Sequence, residues 1–253
     1  MSSPALQDSP TSLRRALSLL DAFDRAHPVM TVRELAARSG VSRSSTHRLA
    51  QDLIDWGALE RTPQGLRLGV KLFELGTLAP SQTTLRDAAG PYLHTLHEVT
   101  KLTANLAVRE GNEIIYLEKI GTRTLRVPHT RLGGRMTLHA TALGKAILAF
   151  TRQDDVSLNA LTPTLVPMTP HTLTTVDALR KELARARLEK VAYDVEESQL
   201  GLFCVAAPVL DRHGSALAAI SVTGATALSQ AQRFAPTVMA TAFAISRGIV
   251  SAG

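Results

Sequence analysis

The stretch Thr31–Gly57, TVRELAARSGVSRSSTHRLAQDLIDWG, constrains this chain more than any other. Thr31 followed at the third position by Glu34 makes a capping box, and Val32, Leu35 and Ala36 then recur at helical spacing. Ser39-Gly40-Val41 interrupts the helix, with Gly40 suited to a left-handed terminal position. Ser42 is the N-cap of a second helix. On that helix, at about 100° per residue, Thr46, Leu49, Ala50, Leu53 and Trp56 share a core-facing side. Ser44, His47, Arg48, Gln51 and Asp55 fall opposite, with Arg43 and Ser45 on the flanks. The first turns thus offer hydroxyls, an imidazole and guanidiniums, while Asp52 and Asp55 further along would repel phosphates. A helix-turn-helix that enters a major groove by the N-terminal half of its second helix has this layout. An αα-hairpin with a solvated face fits the same stretch.

The flanks favour the first reading. Ser12 to about Arg25 carries Leu13, Ala16, Leu17, Leu20 and Phe23 on one face, which predicts an amphipathic helix ended by His27-Pro28. After Gly57, the runs Leu59–Thr62 and Gly65–Leu68 alternate around Pro63-Gln64-Gly65, a β-hairpin signature. Three helices and a hairpin make a winged helix. Arg61 and Arg67 sit on the hairpin, where they either reach a phosphate or a minor groove or are simply solvated. Val70 to about Leu78 is short and very apolar through Leu72, Phe73, Leu75 and Leu78. It predicts a helix that packs on a second copy of itself or on the domain that follows.

From Thr84 the pattern changes. A helix is expected over 85–99, with Leu93, Leu96 and Val99 on one face and Pro91 marking a kink or a late start. Strands follow over 103–108 and 114–120 around a turn at 109–113, then over 124–127 and near Met136. A helix over 141–149, a loop-rich stretch over 156–170 and a charged helix over 176–190 come next. Apolar strands over 203–210 and 216–223 flank Asp211-Arg212-His213-Gly214, and a terminal helix runs over about 229–250. Mixed helices with antiparallel strands predict an α+β second domain. The expected organisation is a disordered tail over 1–11, a winged helix-turn-helix over 12–69, a linker helix over 70–83 and an α+β domain over 84–253.

The 253 residues are 45% apolar and 20% charged, the balance of an ordinary soluble globular protein. The formal charge of +6 suits a polyanionic partner, but residues 1–80 hold only +2 of it, so any DNA affinity must come from local placement. Cys204 is the sole cysteine, which excludes a disulfide framework and a two-thiol redox mechanism. The opening MSSPALQDSPTS lacks a basic segment followed by an apolar one, and no apolar run approaches the ~20 residues of a membrane span. A cytoplasmic protein without a cofactor is expected. Between Glu118 and Asp154 there is no acid, while Lys119, Arg123, Arg126, Arg131, Arg135, Lys145 and Arg152 lie there with His129 and His139. That run is either a solvated face or a guard that draws an organic anion to a pocket.

The chain resembles the IclR family of bacterial transcriptional regulators from about Ser12 to the last helix. The resemblance is carried by VSRSSTHRLAQDLIDWGALE, Gly65-Leu66-Arg67-Leu68-Gly69, the strand pair ending in IIYLEKI, LHATALGKAILA, and YDVEESQLGLFCVAAPVLDRHG followed by AAISVTG. It implies a winged helix joined by a linker helix to a GAF-like effector domain, and a homodimer or homotetramer. It further implies a pocket for a small organic acid, walled by Ala142 and Leu143 at the start of the LGKA helix and lined by Asp194, Cys204, Ser221 and Thr223. A helix N-terminus suits a carboxylate, and Ser221 and Thr223 alternate so that their hydroxyls face one side. Read alone, Cys204 is more often a small buried apolar residue, and Asp194 with Glu196 and Glu197 a cap or an acidic turn. The function expected is an effector-responsive DNA-binding regulator that meets DNA through Arg43, Ser44, Ser45, Thr46, His47, Arg48, Gln51, Arg61 and Arg67. The alternatives are a second domain that serves oligomerisation only, a GAF-like enzyme, a metal sensor using His129, His139 and Cys204, and an architectural DNA binder.

Overall fold

The computed structural model describes residues 11–121, 130–151, 158, 165–225 and 228–252. They divide after Pro80 into two compact units. The expected strand over 124–127 and most of the 156–170 stretch lie outside the described residues.

In the first unit, α1 (Ser12–Asp21), α2 (Val32–Ser39) and α3 (Arg43–Trp56) surround Leu19, Met30, Leu35, Leu49, Leu59 and Leu66. The Thr31/Glu34 capping box is formed in full, Gly40 is left-handed at φ 70°, and Ser42 accepts from the Ser45 N–H. α1 ends earlier than its apolar pattern, because the Asp24 carboxylate accepts from the N–H groups of Ala26 and His27 and draws the chain into a turn. Arg38 then ties α2 to that turn through the Ala22 carbonyl and the Asp24 carboxylate. The hairpin is β2 (Leu59–Thr62) and β3 (Gly65–Leu68), and β1 (Val29–Met30) adds a third, antiparallel strand beside β3. β1 escaped the sequence reading because two residues show no alternation. Trp56 is not in the core: it is 53% exposed, and Leu53 and Ile54 pack inward in its place. α4 (Val70–Thr77) buries none of its residues; Phe73 is 70% exposed and Val70, Leu75 and Leu78 are exposed beside it.

The second unit is α+β. β4 (Thr103–Glu110), β5 (Glu113–Ile120), β6 (Arg135–Thr137), β7 (Ala192–Val195), β8 (Phe203–Leu210) and β9 (Ala216–Gly224) form one antiparallel sheet in the order β6-β5-β4-β9-β8-β7. Four-residue β7, too short to stand out between the helix before it and the next loop, is absent from the sequence expectation. α5 (Pro80–Thr100) and α8 (Leu228–Ala252) cover one face, packing on Leu106, Val205, Ala218, Ile220 and Val222. α6 (Ala142–Ala149) and α7 (Val176–Glu189) cover the other, against Ala107, Ala192, Ala206 and Ala219. α5 passes through Pro91 without ending, since Pro91 lies on its exposed side and the carbonyl that loses its helical donor belongs to exposed Asp87. The buried stripe runs Leu85, Ala89, Leu93, Leu96 and Thr100, so that Val99, expected inside, is exposed.

Two details place the site. The β4–β5 register slips between Leu106 and Ala107, leaving Leu117 as an extra residue and turning Tyr116 toward α6. Gly144 lets α6 lie on the chain before it, because a Cβ there would run into the Leu138 backbone. Gly144→Ala should therefore destabilise the protein by about 1–3 kcal/mol in urea unfolding. Gly90→Ala, on α5 with open space around it, should stabilise it by about 0.5–1 kcal/mol. Equal effects from the two would show that α6 is free to move away from Leu138.

Candidate functional site

Two places carry the polar chemistry expected from the sequence, one in each unit. The first is the outer side of α3. Arg43, Ser44, His47 and Arg48 are exposed and Ser45 is half-buried, its hydroxyl accepting from that of Ser42 at 3.0 Å. Arg48 lies 4.0 Å from Asp52 across one helical turn, a loose exposed pair. Thr46 does not belong to this face. It is fully buried, and its hydroxyl donates to the carbonyls of Val41 and Ser42, which closes the turn between α2 and α3.

The remaining groups of the set hold one another. Arg61 on β2 donates to the Gln51 side chain at 2.7 Å, and Gln51 donates on to Asp55 at 2.7 Å, so the wing is latched to the recognition helix. Arg67 on β3 forms a two-nitrogen contact with Glu60, whose other oxygen accepts from the Val70 N–H where α4 begins. Hydrogen bonds to Arg67 and Val70 hold the Glu60 carboxyl below its ordinary range.

The second place is a cleft on the α6 side of the sheet. Asp194 pairs with Cys204 and Cys204 with Thr223 across three neighbouring strands, and Ser221 lies two residues along β9 on the same face. α6 starts above them with Ala142 and Leu143. These six line one cleft together with Tyr116, Thr130, Met136, Thr141, Ser198 and Leu202. Its free space is about 10 Å³, roughly the room for one water. The Thr141 hydroxyl accepts from the Gly144 N–H at 3.0 Å, while those of Ala142 and Leu143 belong to the first turn and have no acceptor within the helix.

Beneath the cleft, buried Asn105 on β4 donates through Nδ2 to Ser221 Oγ and Thr223 Oγ1, both at 3.1 Å. As acceptors in those bonds, the hydroxyls keep their own protons to give. The Thr223 oxygen also meets Cys204 Sγ at 3.1 Å. The sequence reading missed Tyr116, Asn105 and Ser198. A lone amide within an apolar strand was the available signal for Asn105, and the four-residue step from Asp194 the one for Ser198.

Asp194 is a cap rather than an exposed acid. Its Oδ1 accepts from the N–H groups of Glu197 and Ser198, and its Oδ2 accepts from the Ser198 hydroxyl. Burial nonetheless pushes its carboxyl above the ordinary range, with the Ser198 bonds and the Lys145 charge opposing. Burial likewise raises the Cys204 thiol and the Tyr116 phenol far enough that both stay protonated near neutral pH. A protonated Cys204 is a poor nucleophile. His139 is held below its ordinary value by burial and bonds the Val166 carbonyl.

Among the described residues of the basic run, three cations have separate partners. Lys119 reaches Thr130, Arg135 pairs with Glu113 at the sheet edge, and Lys145 is inside the protein, held by Glu197. Arg123, Arg126, His129 and Arg152 lie outside the described residues.

Residues 12–63 match the family model described as the IclR helix-turn-helix domain, and residues 78–247 the one described as bacterial transcriptional regulator IclR C-terminal. The chain is 33% identical over 219 residues to the HTH-type transcriptional regulator XynR of Escherichia coli, covering 85% of this chain and 86% of that protein. It is 34% identical over 217 residues to the HTH-type transcriptional regulator BhcR of Paracoccus denitrificans, covering 85% and 77%. Among solved structures, an IclR homolog complexed with 4-hydroxybenzoate from Microbacterium hydrocarbonoxydans matches with a TM-score of 0.86 at 25% identity, over 96% of this chain and all of that one. The Thermotoga maritima IclR matches with a TM-score of 0.78 at 28% identity, over 94% and 98%.

The Asp194 shift has a sign that can be measured. A carboxyl raised in the folded state keeps its proton longer there than when unfolded, so its contribution to stability declines as pH rises from about 4 through the raised value. Asp194→Asn removes that slope. The urea midpoint of the variant relative to the unsubstituted protein should therefore improve between about pH 4 and pH 7, and a difference constant with pH would show that burial does not dominate at Asp194.

Proposed function

The chain belongs to the IclR family of bacterial transcriptional regulators, and we propose that a small organic acid bound in the cleft of its second unit adjusts how tightly its helix-turn-helix holds an operator. The observation that carries this reading is the convergence of Ala142, Leu143, Asp194, Cys204, Ser221 and Thr223 on one cleft. A carboxylate would sit on the first-turn N–H groups of α6, where the helix dipole also favours an anion. Ser221 and Tyr116 offer hydroxyl protons to further oxygens, and the Leu143 and Met136 side chains supply the apolar wall. The complex of an IclR homolog with 4-hydroxybenzoate supports an acid of this class, and makes that compound the first to try.

On DNA, the exposed set on α3 does the reading. Ser44, His47 and Arg48 face base edges, and Arg43 and Ser45 hold phosphates. Gln51 and Arg61 act as a latch that fixes the wing against α3, and Arg67 contributes near the backbone. We read the protein as a non-catalytic regulator of the cytoplasm, in line with relatives that are transcriptional regulators. Among the described residues no helix is long and apolar enough to cross a membrane. The apolar, uncovered face of α4 supports a homodimer through Val70, Phe73 and Leu78, which would supply the paired recognition helices that two half-sites require. A tetramer through the second unit is a further step.

Fluorescence anisotropy on the DNA upstream of its own gene, over a salt series and with a panel of small aliphatic and aromatic carboxylates, tests the reading. One acid should shift the affinity, and specific binding indifferent to every acid would leave a regulator whose second unit serves oligomerisation only. Arg48→Ala should weaken specific binding by about 1–3 kcal/mol and relax preference at one base position. Arg43→Ala should weaken binding evenly across sequences and flatten the salt slope by about one. Thr46→Ser, which keeps the buried bond, should leave affinity unchanged.

A further inference from the structure

Lys145 is among the largest fully buried side chains of the described residues, with no exposed surface. It projects from α6 one turn beyond Ala142 and Leu143. Its ammonium bonds Glu197 Oε1 and lies 3.8 Å from Glu182 Oε1 on α7. Glu182 has its own partner in Arg185 at 2.6 Å, so Glu197 is the carboxylate that depends on Lys145. The second oxygen of Glu197 is buried without a hydrogen bond.

Glu197 belongs to the turn that forms the opposite wall of the cleft. Its N–H donates to Asp194 Oδ1, and its carbonyl accepts from the hydroxyls of Thr172 at 2.6 Å and Thr169 at 3.2 Å. The preceding Glu196 is left-handed at φ 59°, a backbone that a non-glycine residue holds only when its surroundings fix it. The Glu196 carboxylate accepts from the Gly201 N–H, its own N–H donates to the Leu202 carbonyl, and the Thr169 hydroxyl donates to its carbonyl at 2.6 Å. Ser198 and Leu202 of this turn line the cleft. A single buried ion pair therefore joins the helix that would hold a carboxylate to the turn that carries Asp194 and Ser198.

We propose that Lys145 and Glu197 are positioning residues that hold the two walls of the effector cleft at a fixed separation, so that an acid meets the α6 N–H groups and the Asp194–Ser198 turn together. Neither side chain lines the cleft, and each acts through backbone that does. The buried pair is poor evidence for stability as such, because apolar residues of similar volume commonly replace such pairs at no loss. Its position behind both walls is what assigns it to geometry. The proposal rests on the effector reading of the cleft, and its test separates the two.

The full chain is compared with Lys145→Met/Glu197→Leu, which removes both charges, and with Glu197→Gln, which keeps an acceptor for the ammonium. In the absence of any acid, amide hydrogen exchange is followed at Gly144–Ala146, whose first N–H groups bond Thr141, and at Ser198–Leu202. The double variant should keep its urea midpoint, while exchange at both segments rises together by about tenfold and exchange in α5 does not change. Glu197→Gln should exchange nearly as the unsubstituted protein does. Should the double variant not fold, Glu197→Ala, which leaves Lys145 with Glu182, carries the same exchange expectation for the two segments with a lowered urea midpoint. Unchanged exchange, or a rise on one wall only, overturns the proposal. Titration with 4-hydroxybenzoate is the second arm, with affinity expected to fall about tenfold in the double variant through lost preorganisation. If the unsubstituted protein does not bind that acid, the effector reading loses this ligand and the exchange result decides the role of the pair.

Discussion

The packing of helices on both faces of one antiparallel sheet decides most of what the second unit can do. Once both faces are covered, most side chains of the central strands are inside, and each polar one there must find a partner or cost free energy. On the side of α5 and α8 the strands answer with Leu106, Val205, Ile220 and Val222. On the side of α6 the same strands carry Asn105, Cys204, Ser221 and Thr223. Asn105 joins Ser221 to Thr223, Thr223 meets Cys204, and Asp194 caps its own turn, so the polar patch is almost fully satisfied from within. The Asn105 carbonyl oxygen is the exception. A patch that keeps hydroxyl protons and leaves one acceptor without a donor is built for an added group more than for a dry core.

The first unit solves a different problem with local devices. A unit of this size has little core, and its helices are placed by caps and turns: the Thr31–Glu34 box, left-handed Gly40, the Ser42 cap and the buried Thr46 hydroxyl. Together these fix the angle between α2 and α3 without using any side chain on the outer face of α3. That face is left to Arg43, Ser44, His47 and Arg48. The Asp55–Gln51–Arg61 chain extends the same economy to the wing, since one guanidinium sets the hairpin against the helix it must work beside.

What could be read from the sequence follows from the range of the interactions. Caps, the hairpin and the strand alternation of Ser221 with Thr223 are local, and each was visible. The helical wheel placed Thr46 on the core side, yet it was still counted with the DNA-facing residues around it; its burial settles the matter. Trp56 and Val99 show the converse, where an apolar residue continues the period but the partner surface has ended. Tyr116 could not be placed, because its face depends on one extra residue, Leu117, in a register that only the paired strand defines. Lys145 was read as part of a basic run because its partner Glu197 lies 52 residues away. The six cleft residues came from family resemblance, and composition or spacing alone would not have singled out Cys204 or Asp194.

The size of the cleft bears on how an effector could act. Space for about one water is too little for an aromatic acid, so uptake requires Leu143, Met136 or their supporting walls to move. A ligand that binds only an opened form has its apparent affinity reduced by the fraction of protein already open. Binding then shifts the population by the difference in its affinity for the two forms and by nothing else. Walls held at one separation present the α6 N–H groups and the Asp194–Ser198 turn ready-made to the opened form, whereas loose walls must be ordered by the acid and lower its affinity. With the first turn of α6 and the turn at Asp194 kept at one separation, Leu143 and Met136 are the side chains whose displacement an acid must drive, and the cost of moving them sets the gain of the response.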